Sequence, residues 1–292
     1  MTAEFNPGQT PMTRNAEFTG TTVVITGASQ GVGAATARAF AKRGANLVLI
    51  ARGREKLDAL AGELDIGDRT MVVPLDVTDI DGFGKLLARA DEVFGSVDVL
   101  VNNAGFHARG KVDSVSADDI GRMIDVNLKA PLMATRMMLP YLRQSKHPAV
   151  INVASLAGRT PVPGSATYSA TKFGLRAFGL ALAEEIRESN IKVASVSPGP
   201  IDTGFIMEDI DTVTDLTFSQ PISTAEQVAD AIVALVDNTT LDKPMPRISG
   251  YLTTISYLFP RVGRTLRPML EKKGRRTKER LKKERGQDNS DR

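Results

Sequence analysis

Short β-branched runs alternate with segments of helical period along most of this chain. Residues 21–26 (TTVVIT), 46–51 (NLVLIA), 70–75 (TMVVPL), 97–101 (VDVLV), 149–154 (AVINVA) and 191–196 (IKVASV) are short and nearly continuously apolar. That is the pattern of strands buried on both faces. Between them lie helix-forming segments. Residues 34–43 are alanine-rich and stop at Gly44. Residues 79–94 read as a helix with Asp79 near its start, and 116–139 as one capped by Ser116, with Asp118 and Asp119 in its first turn. A further helix carries Tyr168 and continues to about Glu188, and Ser223-Thr-Ala-Glu226 reads as a capping box opening a helix to about Val236. A last short strand is expected at residues 245–248. The alternation predicts an α/β fold, a doubly wound parallel sheet in three α/β/α layers forming one domain over residues 19–250. Residues 1–18 are polar, aperiodic and hold Pro7, Gly8 and Pro11, so they read as a flexible arm. Residues 251–292 form an extension, first apolar and then basic, with Pro260 suited to the first position of a helix.

The first strand runs into Gly27-Ala-Ser29-Gln30-Gly31-Val32-Gly33 and then a helix. Strand, glycine-rich turn and helix are the context in which backbone N–H groups approach a pyrophosphate at a helix N-terminus. The second strand ends in Ala51-Arg52-Gly53-Arg54, where an acid would suit the ribose hydroxyls of NAD. An arginine suits a 2′-phosphate, which favours NADP; solvent-exposed arginines in a turn are the plainer alternative. Asp76-Val77 follows the third strand, and Asn102-Asn103-Ala104-Gly105 follows the fourth, where small residues let the backbone approach a flat ligand. Asn127 sits inside a predicted helix with no propensity reason to be there, so either a buried amide partner or exposure to solvent accounts for it.

The stretch from Ser155 to Lys172 carries the candidate chemistry. Ser155 follows the fifth strand, at the sheet edge where open α/β sheets bind ligands. Tyr168 and Lys172 stand four residues apart, one turn apart on one helix face. A lysine ammonium beside a phenol is expected to lower its pKa from about 10 toward working pH and make it a general acid/base.

Composition narrows the alternatives. The chain has 292 residues and no cysteine, so no thiolate nucleophile or cysteine–metal site is possible. His107 and His147 are the only histidines, which poorly supports a metal cluster or a Ser-His-Asp triad, and His147 reads as a surface residue. No metal is expected. Neither a secretory signal nor an apolar run of spanning length is present, and a cytoplasmic protein is expected. The net charge of +3 conceals an asymmetry: residues 261–292 hold 13 Lys+Arg against five Asp+Glu, so a mildly acidic body carries a basic tail. The tail lacks base-stacking aromatics, and no nucleic-acid partner is expected. Its apolar first part and basic remainder fit peripheral contact with an anionic membrane; closure of the pocket or a dimer contact by residues 251–270, with the rest solvated, fits as well.

Taken in order, these motifs resemble the short-chain dehydrogenase/reductase family in its form of about 250 residues, over roughly residues 20–250. The resemblance implies a Rossmann fold and an NADP(H)-dependent oxidoreductase acting between a carbonyl and a secondary alcohol. It implies a catalytic tetrad of Asn127, Ser155, Tyr168 and Lys172. Tyr168 would move the proton, Lys172 would lower its pKa and hold the nicotinamide ribose, Ser155 would steady the oxyanion and Asn127 would order a water. It assigns cofactor contacts to Gly27, Ser29, Gln30, Gly31, Val32, Gly33, Arg52, Asp76, Val77, Asn103, Ala104, Gly105, Tyr168, Lys172, Pro198, Gly199 and Thr203. Residues 201–221 occupy the place of a mobile substrate loop. Phe205, Ile206, Met207, Val213, Leu216 and Phe218 there suit an apolar ketone or aldehyde, lipid- or sterol-like, or else pack on the protein's own core. A homodimer through the Asn127 and Tyr168 helices is expected, while the extension puts the family's tetramer in doubt. A catalytically silent, NADP-binding regulator or membrane-associated scaffold of the same fold is the alternative function.

Overall fold

A computed structural model describes residues 18–204 and 210–288, with side chains to residue 283. Seven parallel strands form one sheet in the order β3-β2-β1-β4-β5-β6-β7. They are β1 (Thr22–Thr26), β2 (Asn46–Ala51), β3 (Thr70–Pro74), β4 (Val99–Asn102), β5 (Ala149–Val153), β6 (Lys192–Pro198) and β7 (Asp242–Met245). The strand order reverses direction between β1 and β4, which opens a crevice at their C-terminal ends.

Successive side chains on a strand point to opposite faces, and here both faces are buried. Val23, Ile25, Leu47, Leu49, Val99 and Val101 enter one core with helices α1 (Gly31–Ala41), α2 (Arg54–Leu64) and α7 (Ala225–Asp237). Val24, Val48, Ile50, Leu100 and Val150 enter the other, with α3 (Ile80–Phe94), α5 (Ala130–Leu142) and α6 (Ala166–Glu185). The doubly wound α/β architecture expected from the alternation is therefore the one observed. Helix α4 (Ala117–Ile124) precedes α5, and the two are joined by a π-helical turn over Asp125–Lys129.

Caps follow the sequence with one shift. The Asp79 and Ser116 side chains accept hydrogen bonds from the Gly82 and Asp119 N–H groups. The box at α7 is formed by Thr224 with Gln227, one residue later than expected, because Thr224 is the last extended residue before the helix. The last strand is displaced in the same way. It ends at Met245, and the residues after Pro246, expected to be extended, instead form α8 (Arg247–Leu258). Pro246 has no N–H to give a sheet and stands where a helix loses nothing by that. Phe18, placed in the N-terminal arm by the sequence, is buried edge-on against Phe40 with ring centroids 5.1 Å apart. Residues 1–17 of that arm lie outside the described residues, as do Phe205, Ile206 and Met207 of the expected substrate loop.

Helix α9 (Pro260–Asp288) starts at Pro260 as the sequence suggests. Its second half is docked rather than fully solvated. Leu281 packs on Val213 and Phe218, and Lys278 donates to the carbonyls of Asp211 and Val213 at 3.0 and 2.7 Å. Arg275 pairs with Asp215 at 3.0 Å and Lys282 pairs with Asp211. Three of its cations thus face the 211–215 segment of the chain itself. Helix α8 is tied down near the sheet edge. Arg159 bridges the Asp242 carboxylate and the Thr254 hydroxyl, and Tyr257 sits 5.4 Å from the Phe173 ring.

Candidate active site

The crevice at the strand ends is one cavity of about 1220 Å³. All the expected catalytic and cofactor-binding residues line it except Gly33 and Asn127, which stand just behind its wall.

The glycine turn is fixed by close packing. Gly27 has φ +65° and its Cβ would meet Ala104 at 2.9 Å, while a Cβ on Gly33 would overlap the Gly27 carbonyl oxygen. The turn therefore brings bare backbone and the N-terminus of α1 to the cavity, as an anion such as a pyrophosphate requires. Asn103 holds it from the neighbouring strand. Its amide donates to the Thr26 and Gly27 carbonyls at 2.9 and 3.1 Å, and the Thr26 hydroxyl accepts from the N–H groups of Asn103 and Ala104.

Beyond the turn, Arg52 and Lys56 stand at the open end of β2, with Lys56 donating to Gln30 at 2.9 Å. Lys56 was not expected from the sequence; its place one turn after Arg52 was the available signal. Burial opposes the Asp76 charge, but hydrogen bonds from the Thr78 N–H and hydroxyl, with the charges of Arg52 and Arg122, outweigh it and hold the carboxyl below its ordinary range. The chain thus offers two cations, a carboxylate and a glycine cradle, a set that fits a phosphorylated dinucleotide.

The candidate chemical groups converge at the other end. Asn127 is fully buried in the π-helical turn. Its carboxamide accepts from the Phe106 N–H and donates to the Phe106 carbonyl, both at 2.7 Å, which explains an asparagine inside a helix. A local π-turn of this kind re-aims side chains and is frequent at functional sites. Ser155 caps a short 3₁₀ turn, accepting from the Ala157 N–H, and its side chain is hydrogen-bonded to Tyr168.

One expectation is corrected. Lys172 does not lower the phenol of Tyr168. Burial raises the Tyr168 pKa above its ordinary 10, against the opposing effects of the Ser155 hydrogen bond and the Arg109 charge. Lys172 lies 5.8 Å from the Tyr168 ring centre and donates to the Val153 carbonyl at 2.9 Å, while burial brings its own pKa down to about 8. Desolvation is the leading effect on both groups, disfavouring the phenolate of Tyr168 and the ammonium of Lys172 alike. Tyr168 is accordingly a neutral, proton-bearing group at neutral pH.

His107 was not singled out by the sequence. Its ring stacks on Tyr168 with centroids 4.1 Å apart, and burial, helped by the charges of Arg109 and Lys172, lowers its pKa to about 3. It is neutral across the physiological range, and it holds the phenol's ring in place. Nothing in the local sequence signals this stack, since His107 and Tyr168 meet only through the fold.

The far wall is apolar. Residues of the 212–220 segment, of α8 and of the first half of α9 close it, among them Val213, Leu216, Leu252, Ile255, Val262 and Leu266. The extension therefore forms part of the cavity, one of the roles that the sequence left open. Val213 and Phe218 are buried, so these two loop residues pack on the protein, while Val213 also reaches the cavity.

Comparison with known proteins matches this geometry. A family model described as short chain dehydrogenase matches residues 21–214. The chain is 37% identical over 227 residues to an uncharacterized oxidoreductase of Staphylococcus saprophyticus, covering 76% of this chain and 90% of that protein. It is 33% identical to the ketoacyl reductase HetN of Nostoc sp., covering 77% and 78% of the two chains. A crystal structure titled short-chain dehydrogenase/reductase, glucose/ribitol dehydrogenase, from Brucella melitensis superposes with a TM-score of 0.72 at 32% identity, covering 78% of this chain and 95% of that one. Family model, relatives and fold agree: this chain belongs to the short-chain dehydrogenase/reductase family and is an oxidoreductase acting between CH–OH and C=O.

Proposed function

We propose that the protein is an NADP(H)-dependent reductase of apolar ketones or aldehydes. The observation that carries this reading is a proton-bearing Tyr168, hydrogen-bonded to Ser155, at the inner end of a large cavity with an apolar far wall. The name of one relative, a ketoacyl reductase, is in keeping with an acyl-chain ketone.

When bound, NADPH supplies the hydride to the carbonyl carbon. The chain's own residues would do the rest. Ser155 and Tyr168 donate hydrogen bonds to the carbonyl oxygen, and as its negative charge grows Tyr168 passes its proton to that oxygen. The cationic Lys172 stands near the phenolate left behind. Asn127 fixes the Phe106 backbone beside them, and Gly105 separates its carboxamide from the Lys172 ammonium. Gly27, Ser29, Gln30, Gly31, Val32 and Gly33 would receive the pyrophosphate, Asp76 and Val77 the adenine, and Pro198, Gly199 and Thr203 the nicotinamide end. Arg52 with Lys56 would hold the 2′-phosphate.

Cofactor preference tests the last assignment. Removing one charged partner of a phosphate costs about 1.5–3 kcal/mol. Arg52→Ala should therefore weaken NADPH binding by about ten- to a hundredfold and leave NADH within about twofold. Fluorescence titration of both cofactors measures it, and equal wild-type affinities would remove NADP from the reading.

The pH profile tests the proton assignment. With Tyr168 protonated and Lys172 charged, kcat/KM for reduction should be level through neutrality and fall above about pH 8 as Lys172 loses its proton. A break near the ordinary histidine value of about 6.5 would mean that His107 titrates in function, against its burial.

Assembly as a homodimer through α4, α5 and α6 is part of the same proposal, supported by exposed Ile124 and Met133 on those elements. A cytoplasmic site of action is proposed with it; among the described residues no helix is long and apolar enough to cross a membrane.

A further inference from the structure

Helix α8 is inverted with respect to the usual rule. Its buried residues are Ser249, Gly250 and Thr253, small or polar, while Ile248, Tyr251, Leu252, Ile255 and Leu258 are exposed, Leu252 and Ile255 at the rim of the cavity. Those exposed positions fall at helical spacing on one face. Val262, Leu266 and Met269 continue the apolar exposure along the first half of α9, with Phe259 at the join. Each of these residues is between 43% and 62% exposed. Globular proteins rarely leave so long a contiguous apolar surface uncovered unless something docks there.

The charge around this face is of one sign. Glu271 is the sole acid between Asp242 and Glu279, and it is paired with Arg267 at 2.7 Å. Arg247, Arg261 and Arg264, the last also at the cavity, flank the apolar residues and make no ion pair among the described residues.

We infer that the outward face of α8 and the first half of α9 docks on an anionic lipid bilayer, with the apolar side chains below the plane of the headgroups and Arg247, Arg261 and Arg264 among the phosphates. An interfacial helix needs both features, apolar depth and cations at the level of the headgroups. A second copy of the chain is a poorer occupant. An isologous contact would set the same arginines against each other with no acid to answer them. The dense basic part of α9 is turned in part toward the chain itself, since Lys278, Arg275 and Lys282 engage the 211–215 segment. Docking also says where the cavity opens. Leu252, Ile255, Val262, Leu266 and Met269 are exposed and line the cavity at once, so its apolar wall is continuous with the docking face. An apolar substrate could pass from the bilayer to Tyr168 without crossing water. The docking itself does not depend on the identity of that substrate.

Vesicle flotation with the full chain tests this, using phosphatidylcholine alone and phosphatidylcholine mixed with phosphatidylglycerol. The protein should float with the mixed vesicles at low salt, and much less with the neutral ones or at high salt. The double substitution Leu258→Glu, Phe259→Glu should reduce binding about tenfold or more. Neither side chain lines the cavity, so NADPH-dependent turnover of a small water-soluble aldehyde should be unchanged. Ile248→Glu, at the other end of α8, is an independent variant with the same expected loss should the double substitution misfold. Full-length protein that stays at the bottom with anionic vesicles at low salt overturns the inference. So does undiminished binding by both variants, which would place the anchor in the basic half of α9. A solution dimer that either variant dissociates would show that a second copy covers this face instead.

Discussion

Tyr168→Phe will lower kcat for carbonyl reduction by about 10²–10⁴-fold while NADPH affinity stays within about twofold of wild type. The substitution removes one oxygen and leaves the ring. The stack on His107, with centroids 4.1 Å apart, should survive, so the loss reports the proton and not the packing. Two observations make the phenol the proton source. Burial holds its pKa above the ordinary value, so it arrives protonated, and Ser155 is hydrogen-bonded to it. Ser155→Ala should cost less than Tyr168→Phe, because it removes one hydrogen bond to the developing oxyanion and no proton donor. Steady-state kinetics beside cofactor titration separates the effects. A Tyr168→Phe enzyme within tenfold of wild type would move the proton source to Ser155 or to water and end the proposed role.

The sheet and the cofactor turn were legible because both depend on local pattern. A β-branched run of five or six residues ending in glycines reads as a buried strand and a close turn wherever it lies, and β1 with Gly27–Gly33 was found where it was expected. The electrostatics of Tyr168 and Lys172 were not legible in the same way. Their spacing gave the shared helix face correctly. The sign of the tyrosine's shift, however, depends on how many atoms surround the hydroxyl and on where the lysine's ammonium is aimed. Spacing carries neither quantity. The His107 stack and the Lys278 contacts were hidden for a related reason, since each joins residues more than 60 positions apart. The end of β7 was misplaced by a few residues because an apolar run flanked by Pro246 can be read as strand or helix until its neighbours are known.

The basic end of the chain misled most, and the reason yields a sharp prediction. Thirteen cations in 32 residues look like a solvated helix, yet Gly274 in their midst is buried. A Cβ at that position would overlap the Asp215 carbonyl oxygen and meet the Ser219 nitrogen at 3.0 Å. The glycine is what lets α9 lie against the 215–219 segment, so that Leu281 can reach Val213 and Phe218. In an exposed helix interior, glycine to alanine stabilises by about 1 kcal/mol. Gly274→Ala should do the opposite here and push α9 away from the loop. The ion pairs Arg275–Asp215 and Lys282–Asp211 are exposed and cannot hold it, since such pairs contribute about 0–1 kcal/mol each. Thr212, Val213, Leu216 and Gln220 line the cavity, so a released loop loosens the substrate wall, while the cofactor turn keeps its own support from Asn103. The expected result is faster hydrogen exchange over residues 211–219 and a KM for bulky apolar carbonyls raised about tenfold, with NADPH affinity unchanged. Lys272→Ala, exposed on the same helix, is the control for helix propensity. Unchanged exchange and KM in Gly274→Ala would mean that the loop is ordered without α9. High salt alone should have little effect on KM, because the contact is held by burial of Leu281, Val213 and Phe218 and by the Lys278 hydrogen bonds rather than by exposed charge.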